Sequence, residues 1–439
     1  MSVQPLLKVD DLKVHFPLKQ HLLGGPPRVV KALDGVSFAL MPGETLGIVG
    51  ESGCGKSTLC RAVLRLVEPT DGTVVWLGKD FSHLSGEGLR LERRNMQIIF
   101  QDPLASLDPR MTVRQIIERP LLNFPSKEDG EQRRARVAEL IELVGGSPNW
   151  LDRYPHEFSG GQCQRIGIAR ALILRPKLLV CDEPVSALDV SVQAQIINLL
   201  MELQEQLGLS YLFISHNLSV VRHISHRVMV LYLGKVAELA DRDEIYRNPR
   251  HPYTQALLSA VPLPDPKLER SKKRVRLEGD LPSPLNPPSG CVFRTRCPLA
   301  IDRCAEEAPR LEAVTDSHVV SCHRWQEPIE LLEPASEARR APRAIAPRWQ
   351  EPIQPLEPGS EARHRPRAAD SPPQRRTTNW GLRAMLAVGV AAWQIYDMAT
   401  VTEAPRRAVV LLGYFILGLA LAAFVGSLIM LARGKSAKG

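Results

Sequence analysis

The sequence predicts an α/β fold built around a phosphate-binding loop, and three observations carry that prediction. Short apolar runs that read as buried strands alternate with amphipathic stretches that read as helices. The stretch Gly50-Glu51-Ser52-Gly53-Cys54-Gly55-Lys56-Ser57-Thr58 fits the pattern G-x-x-x-x-G-K-[ST] between a strand and a helix. Two later apolar strands end in chemistry-bearing residues, Asp182-Glu183 after one and Ser215-His216 after the other.

In the loop, Gly50, Gly53 and Gly55 let the backbone curl so that successive N–H groups point at phosphate oxygens. The helix that follows adds the positive end of its dipole. Lys56 reaches the β- and γ-phosphates of a bound nucleotide, and Ser57 ligates Mg²⁺. Taken alone, such a stretch also reads as a chance glycine turn before a helix.

The chain is 439 residues long, enough for two or three domains, with a net charge of +8. Arginines crowd into the region after Trp325, near an apolar C-terminal stretch, so a membrane surface competes with nucleic acid as their partner. Met1–Asp11 lacks the long apolar core of a signal peptide, so the nucleotide-binding part is expected in the cytosol.

The elements follow in order. Leu6–Phe16 alternates as a strand, and a second strand falls around Val36–Leu40, with Asp34-Gly35 read as a turn between them. Phe16 closes the first strand, where an aromatic can stack on adenine or sit in the core. Met41-Pro42-Gly43-Glu44 is a turn into the strand Thr45–Val49, and Thr58–Val67 is the helix after the loop. Gln97–Phe100 is a short strand that delivers Gln101, a polar group able to reach a metal or a water. Met111–Tyr154 is helical, with Arg133–Val144 amphipathic, and reads as a helical insertion. Ser159 caps the helix Gln162–Leu174, and Gly160-Gly161 leave N–H groups bare, a second anion-binding helix start or simply a capped helix. Lys177–Cys181 is a buried strand ending at Asp182, suited to hold Mg²⁺ through water, with Glu183 placed to polarise an attacking water. Ser186-Ala187-Leu188-Asp189 leads into the helix Gln193–Leu207. The strand Tyr211–Ile214 delivers His216 on the ligand side of a parallel sheet. Val228–Leu233 and Lys235–Leu239 form a hairpin around Gly234.

These pieces, in this order, resemble the ATP-binding subunit of ABC transporters. Gly50–Thr58, including Ser52 and Cys54, looks like the Walker A loop; Gln101 matches the Q-loop and Ser159-Gly160-Gly161-Gln162 the signature motif. Leu178–Asp182 with Glu183 matches Walker B and the catalytic glutamate, Ser186–Asp189 the D-loop and His216 the switch histidine. Phe16 falls where the family keeps its adenine-stacking aromatic. His251–Leu258 and Gly279–Gly290 look like the dipeptide/oligopeptide/nickel importers, and the similarity extends from about Leu6 to Trp325. The resemblance implies a P-loop NTPase of the ABC type with an antiparallel β subdomain and a helical subdomain, using ATP and Mg²⁺. It implies that each ATP is closed between Walker A of one subunit and the signature motif of another. The expected partners are a second ABC ATPase subunit, two transmembrane permease subunits and an extracytoplasmic solute-binding protein. Nucleic acid is not expected. The expected location is the cytoplasmic face of a bacterial inner membrane.

Eight cysteines divide into scattered Cys54, Cys60, Cys163 and Cys181 and clustered Cys291, Cys297, Cys304 and Cys322. The cluster spacing, C-x5-C-x6-C-x17-C, matches neither zinc ribbons nor common ferredoxins, so metal binding and free buried thiols both stand on spacing alone. Relatives of the importer family carry a similar set, and some hold a [4Fe–4S] cluster there, so the resemblance favours iron–sulfur. Zinc, with His323 as a substitute ligand, is the alternative.

Beyond Trp325 the resemblance stops. Arg-Trp-Gln-Glu-Pro-Ile recurs with a period of 24 residues in a Pro-, Arg- and Glu-rich stretch that reads as a disordered or semi-extended linker. Ala408–Leu431 is 24 residues without a charge, longer at ~1.5 Å per residue than the ~30 Å hydrocarbon core of a membrane. Trp380–Tyr396 is a weaker apolar stretch, and the basic flanks favour a transmembrane hairpin. The expected organisation is an ATPase domain over 1–262, a small four-cysteine domain over 263–325, a linker over 326–378 and two membrane helices over 379–439. A soluble ABC-type ATPase acting on ribosomes or nucleic acid, and a membrane protein that only binds ATP, are the competing classes. The first usually needs two cassettes or a long coiled coil, and intact Glu183 and His216 argue against the second.

Overall fold

The computed structural model describes residues 4–18, 28–124, 128–262, 270, 275 and 277–327. In chain order the elements are β1 (Leu7–Pro17), β2 (Val29–Leu40), β3 (Thr45–Val49), α1 (Lys56–Val63), β4 (Asp71–Trp76), β5 (Lys79–Asp80), α2 (Gly86–Arg93), β6 (Met96–Ile99), α3 (Val113–Leu122) and α4 (Gly130–Leu143). They continue with α5 (Gly160–Leu172), β7 (Leu178–Asp182), α6 (Val190–Leu207), β8 (Ser210–Ile214), α7 (Leu218–Ile224), β9 (Arg227–Tyr232) and β10 (Lys235–Asp241). The last are α8 (Arg242–Arg247), α9 (Pro252–Ser259), α10 (Arg303–Glu306), β11 (Glu312–Thr315) and β12 (His318–Val320).

The larger sheet has the order β11-β12-β10-β9-β3-β8-β7-β6. Neighbours from β9 to β6 are parallel. β3, β7 and β8 are buried along their whole length, so their residues form unbroken apolar runs instead of alternating ones. A smaller antiparallel sheet, β2-β1-β4-β5, faces α1, which packs on β1 and β2 and also on β7 and β8. Leu59 and Val63 fill that gap, each contributing roughly 2 kcal/mol by burial. A second apolar cluster joins α3, α4 and α5 to the large sheet through Ile116, Ile117, Val137, Ile141, Ile166 and Phe213. This is the helical insertion expected over 111–154, and α5 anchors it by also packing on β6 and α6.

Two local readings need correction. Asp34-Gly35 is not a turn: β2 runs through it, and its pairing with β1 shifts register between Leu12↔Val36 and Lys13↔Asp34. Asp11 and Gly35 take positive φ, 48° and 95°, while Asp34 pairs with His15, Lys31 and Lys235. A β-bulge draws on the same Asp-Gly chemistry as a turn, which is why the dipeptide misleads. Helix α1 begins at Lys56 and ends at Val63, short of Val67, and Arg65 just beyond has left-handed φ of 55°.

The C-terminal part is built into the larger sheet. β12 pairs antiparallel with β10, Glu238 opposite Val320 and Leu239 opposite Val319. His318 Nε2 lies 2.7 Å from Glu238 Oε1, both fully buried, and Glu238 also accepts the N–H groups of Arg250 and His251. Phe293 packs edge-to-face on Tyr232 and at a tilt on Tyr253, with ring centroids 5.1 and 5.4 Å away. The sequence repeat after Glu327 and both apolar C-terminal stretches lie outside the described residues. Among the described residues no helix is long and apolar enough to cross a membrane.

Candidate nucleotide site

The loop Gly50–Gly55 leaves the end of β3 and turns into α1. Gly50, Gly53 and Gly55 all have positive φ, 154°, 82° and 108°. Two of them are also needed sterically. A Cβ on Gly50 would run into the Leu231 carbonyl, and one on Gly55 would meet the Ala32 carbonyl at 2.5 Å. The loop is further braced by the Gly234 N–H, which donates to the Cys54 carbonyl at 2.9 Å. Lys56 is buried, and its Nζ donates to the carbonyls of Gly50 and Glu51 at 2.8 and 2.9 Å. The ammonium is thereby held on the loop axis, where an anion cradled by the backbone would meet it.

Ser57, in the first turn of α1, donates its hydroxyl to Asp182 Oδ1 at 2.9 Å. Asp182 ends β7 and is buried; that burial pushes its carboxyl pKa up, against the lowering effect of the Ser57 hydroxyl. A buried carboxylate beside a hydroxyl is an oxygen donor set that fits a hard cation such as Mg²⁺.

Glu183 follows immediately with φ of 50°, a left-handed conformation that is costly for a residue with a Cβ. Its N–H donates to the Ile214 carbonyl at 3.1 Å, which fixes the reversal after β7. The reversal brings three expected site residues together. Gln101 Nε2 donates to Glu183 Oε2 at 3.0 Å, and His216 Nδ1 lies 3.3 Å from the same oxygen. Gln101 arrives from the end of β6 and His216 from the end of β8, so three parallel strands converge on one carboxylate. His216 is 61% exposed and Glu183 18%, so the cluster opens to solvent on the histidine side.

The second glycine-led start is a true capping box. Ser159 Oγ accepts the Gln162 N–H, and Gln162 Oε1 accepts the Ser159 N–H at 2.9 Å. Gly160 and Gly161 follow it into α5, and Gly161 permits close approach of Val192 in α6. Asp189, exposed, is the N-cap residue of α6. These residues form a group on α5 and α6, whereas the loop group stands on β3, α1 and the strand ends. Phe16 is 40% exposed, which removes the core alternative; it pairs with Val30, two residues from the Ala32 carbonyl that abuts Gly55.

Cys54, Cys60, Cys163 and Cys181 are buried in the core. Cys291, Cys297, Cys304 and Cys322 line one small cavity with His251, Phe293 and His323. Burial pushes the thiol of Cys297 up to about 11 and that of Cys322 up to about 12. Among the described residues no three His, Cys, Asp or Glu side chains are arranged to hold a metal ion. The four thiols share a cavity wall but form no metal-binding group among the described residues, so the iron–sulfur expectation is not supported here.

Sequence reasoning missed two contacts on the loop. The Glu51 N–H donates to the Tyr253 hydroxyl at 2.9 Å, and Arg296 Nη1 donates to Glu51 Oε2 at 2.7 Å. Both partners lie in stretches singled out for other reasons, a family-like motif and the cysteines. The only available signal was the acidic residue in a loop meant for anions.

The ABC transporter family model matches residues 33–186, and the model for the oligopeptide/dipeptide transporter C-terminal region matches residues 237–304. The oligopeptide transport ATP-binding protein OppF of Salmonella typhimurium is 60% identical over 319 residues, 72% of this chain and 95% of the relative. The oligopeptide transport ATP-binding protein AppF of Bacillus subtilis is 56% identical over 323 residues, 73% of this chain and 98% of the relative. Among solved structures, the ATP-binding cassette MJ0796, a dimer in a post-hydrolysis state with ADP and Pi, covers 54% of this chain and 98% of its own at 28% identity, TM-score 0.48. With the strand ends, the loop and the capped helix in place, and with OppF and AppF spanned almost end to end, the chain belongs to the ATP-binding proteins of ABC transporters, in their oligopeptide/dipeptide branch.

Proposed function

We propose that this chain couples ATP hydrolysis to the uptake of dipeptides, oligopeptides or related small solutes through partner permeases. As a member of its family it is an ATPase, turning ATP and water into ADP and phosphate. Gly50, Ser52, Gly53, Cys54, Gly55, Lys56, Ser57 and Thr58 hold the phosphates, and Phe16 stacks on adenine. Ser57, Asp182 and Gln101 would hold Mg²⁺, which neutralises phosphate charge when bound. Glu183 takes the proton of the attacking water, and His216 contacts the γ-phosphate and orients the carboxylate. The observation that supports these roles most strongly is the meeting of Gln101 and His216 on one oxygen of Glu183.

The loop group and the Ser159–Gln162 group occupy different elements, and one chain carries one of each. A nucleotide closed from both sides therefore calls for a second ATPase chain, and Ser159, Gly160, Gly161, Gln162 and Asp189 would face the partner's nucleotide. The permeases would dock over the groove of about 360 Å³ lined by Ser106, Met111, Ile116, Arg119, Phe124 and Arg170. It lies beside the Gln101 loop, and Phe100, Leu104 and Leu122 near it are exposed apolar side chains.

The test is uptake of labelled tri- and tetrapeptides by cells carrying either the native chain or Glu183→Gln in place of the gene. Uptake lost with Glu183→Gln and restored by the native chain supports the reading; equal uptake by both overturns it.

The four clustered thiols support a soft-metal site as a second reading, in which Cys291, Cys297, Cys304 and Cys322 hold a [4Fe–4S] cluster, or zinc with His323. Anaerobic purification with iron, sulfide and zinc assays decides it, and metal-free protein counts against both.

A further inference from the structure

Glu51 is an odd residue for its place. It directly follows the first glycine of an anion-binding loop, where a carboxylate repels the phosphates the loop receives. The structure supplies a partner from 245 residues away: Arg296 Nη1 donates to Glu51 Oε2 at 2.7 Å. The pair is shielded, with the Arg296 side chain 10% exposed and that of Glu51 28%. Arg296 Nε is buried with no hydrogen-bond partner; Glu51 is the carboxylate its guanidinium meets, and the Tyr232 hydroxyl also interacts with it.

The rest of Glu51 is held as well. Its N–H donates to the Tyr253 hydroxyl, and its carbonyl accepts from Lys56 Nζ at 2.9 Å. Arg296 is itself stiffly placed. Its N–H donates to the Phe293 carbonyl at 3.0 Å, and the Phe293 ring is wedged among Tyr232, Tyr253 and His251. One turn of chain thus carries both the wedge and the cation.

We propose that Arg296 is a positioning residue for ATP: it neutralises Glu51 and fixes the loop backbone from the C-terminal region, so that this region sets the nucleotide affinity of the cassette. The proposal rests on the reading that Gly50–Ser57 receives the ATP phosphates. A pair that merely supports the fold would shift the urea midpoint and leave KM and Kd unchanged, whereas Arg296→Gln should move both binding constants.

The test uses the full-length chain, with ATP affinity from titration with a fluorescent ATP analogue and KM and kcat from steady-state hydrolysis. Arg296→Gln should raise KM and Kd about tenfold with kcat within about twofold, because the loss falls on binding. Adding Glu51→Gln to Arg296→Gln should restore most of the affinity, and Arg296→Lys should stay close to native. Raising the salt concentration should shrink the defect of Arg296→Gln, since the repulsion is screened. Unchanged KM in Arg296→Gln, or a double variant no better than the single, overturns the proposal. If Arg296→Gln fails to fold, the neutral double variant carries the test, and a tenfold loss there overturns it too. Lys56→Ala separates the two readings: if it binds ATP as tightly as the native chain, the loop reading itself has failed.

Discussion

Glu183 combines a strained backbone with two polar contacts on one oxygen, and each serves the other. The left-handed φ of 50° turns the side chain back toward the ends of β6 and β8, where Gln101 and His216 reach it. Glu183→Gln keeps the shape and one acceptor oxygen but removes the carboxylate that the proposed function assigns as the base. Hydrolysis should fall by a factor of about 10²–10⁴, with ATP affinity changed less than threefold, as read by single-turnover hydrolysis beside nucleotide titration. Hydrolysis within tenfold of native would assign the base elsewhere. His251 tests burial instead of catalysis. It caps α9 by accepting the Tyr253 N–H, and burial lowers its pKa from 6.5 to about 4. Between those values the unfolded chain binds the extra proton and the folded chain does not. Its contribution is therefore complete above about pH 6.5 and is lost as pH falls toward 4, by roughly 3 kcal/mol in all. Urea melts at pH 5 and pH 7 should show a smaller pH effect in His251→Asn, which keeps an N-cap acceptor without the titration. An identical pH effect in both proteins would remove His251 as its cause.

The elements that were legible in the sequence share a physical reason. β3, β7 and β8 are buried on both faces and so are continuous apolar runs, and α5 announces itself by the reciprocal Ser159–Gln162 cap. Their ends were legible too, since the chemistry-bearing residues Asp182, Glu183 and His216 follow directly on apolar runs. The bulge at Asp34-Gly35 was not, because local turn chemistry is ambiguous between a reversal and an inserted residue. β11 and β12 were missed because they are short and lie at a sheet edge, even though Asp316-Ser317 between them is turn-like. Their attachment depends on Glu238 inside β10, a buried carboxylate satisfied by two N–H groups and His318. His318→Leu removes one of those three partners and should cost about 2 kcal/mol by chemical denaturation. Protection of β12 amides from hydrogen exchange should fall more than protection of β3, because the edge hairpin is released first. Equal loss throughout the sheet would mean that the hairpin is no separate unit of stability.

At the scale of the molecule, the contacts that join the C-terminal region to the phosphate loop could not be read from one sequence. Glu51 and Arg296 are separated by 245 positions, and nothing local to either residue names the other. The roles of the two glycine-led starts were readable only as a pair, because each alone is an ordinary helix start, and under the proposed function they would close one nucleotide from two chains. The extent of the working unit is a separate question, and the alignment to relatives bears on it. OppF of Salmonella typhimurium is 95% covered by 72% of this chain, the residues given nucleotide chemistry run from Phe16 to His216, and the described residues end at Glu327. We propose that the remaining residues, with the charge-free run 408–431, are dispensable for hydrolysis and tether the ATPase to the membrane. A chain truncated after Glu327 should keep KM and kcat within about twofold of native, because the loop and strand-end contacts of the described residues lie before the cut. In cells lacking the permeases, fractionation should find the truncated chain largely released from membranes and the full chain retained. With permeases present both should remain bound, since docking and tethering are independent attachments. Equal retention of the two chains without permeases would discard the tether, while a truncated chain that no longer hydrolyses ATP would show that the tail supports the cassette itself.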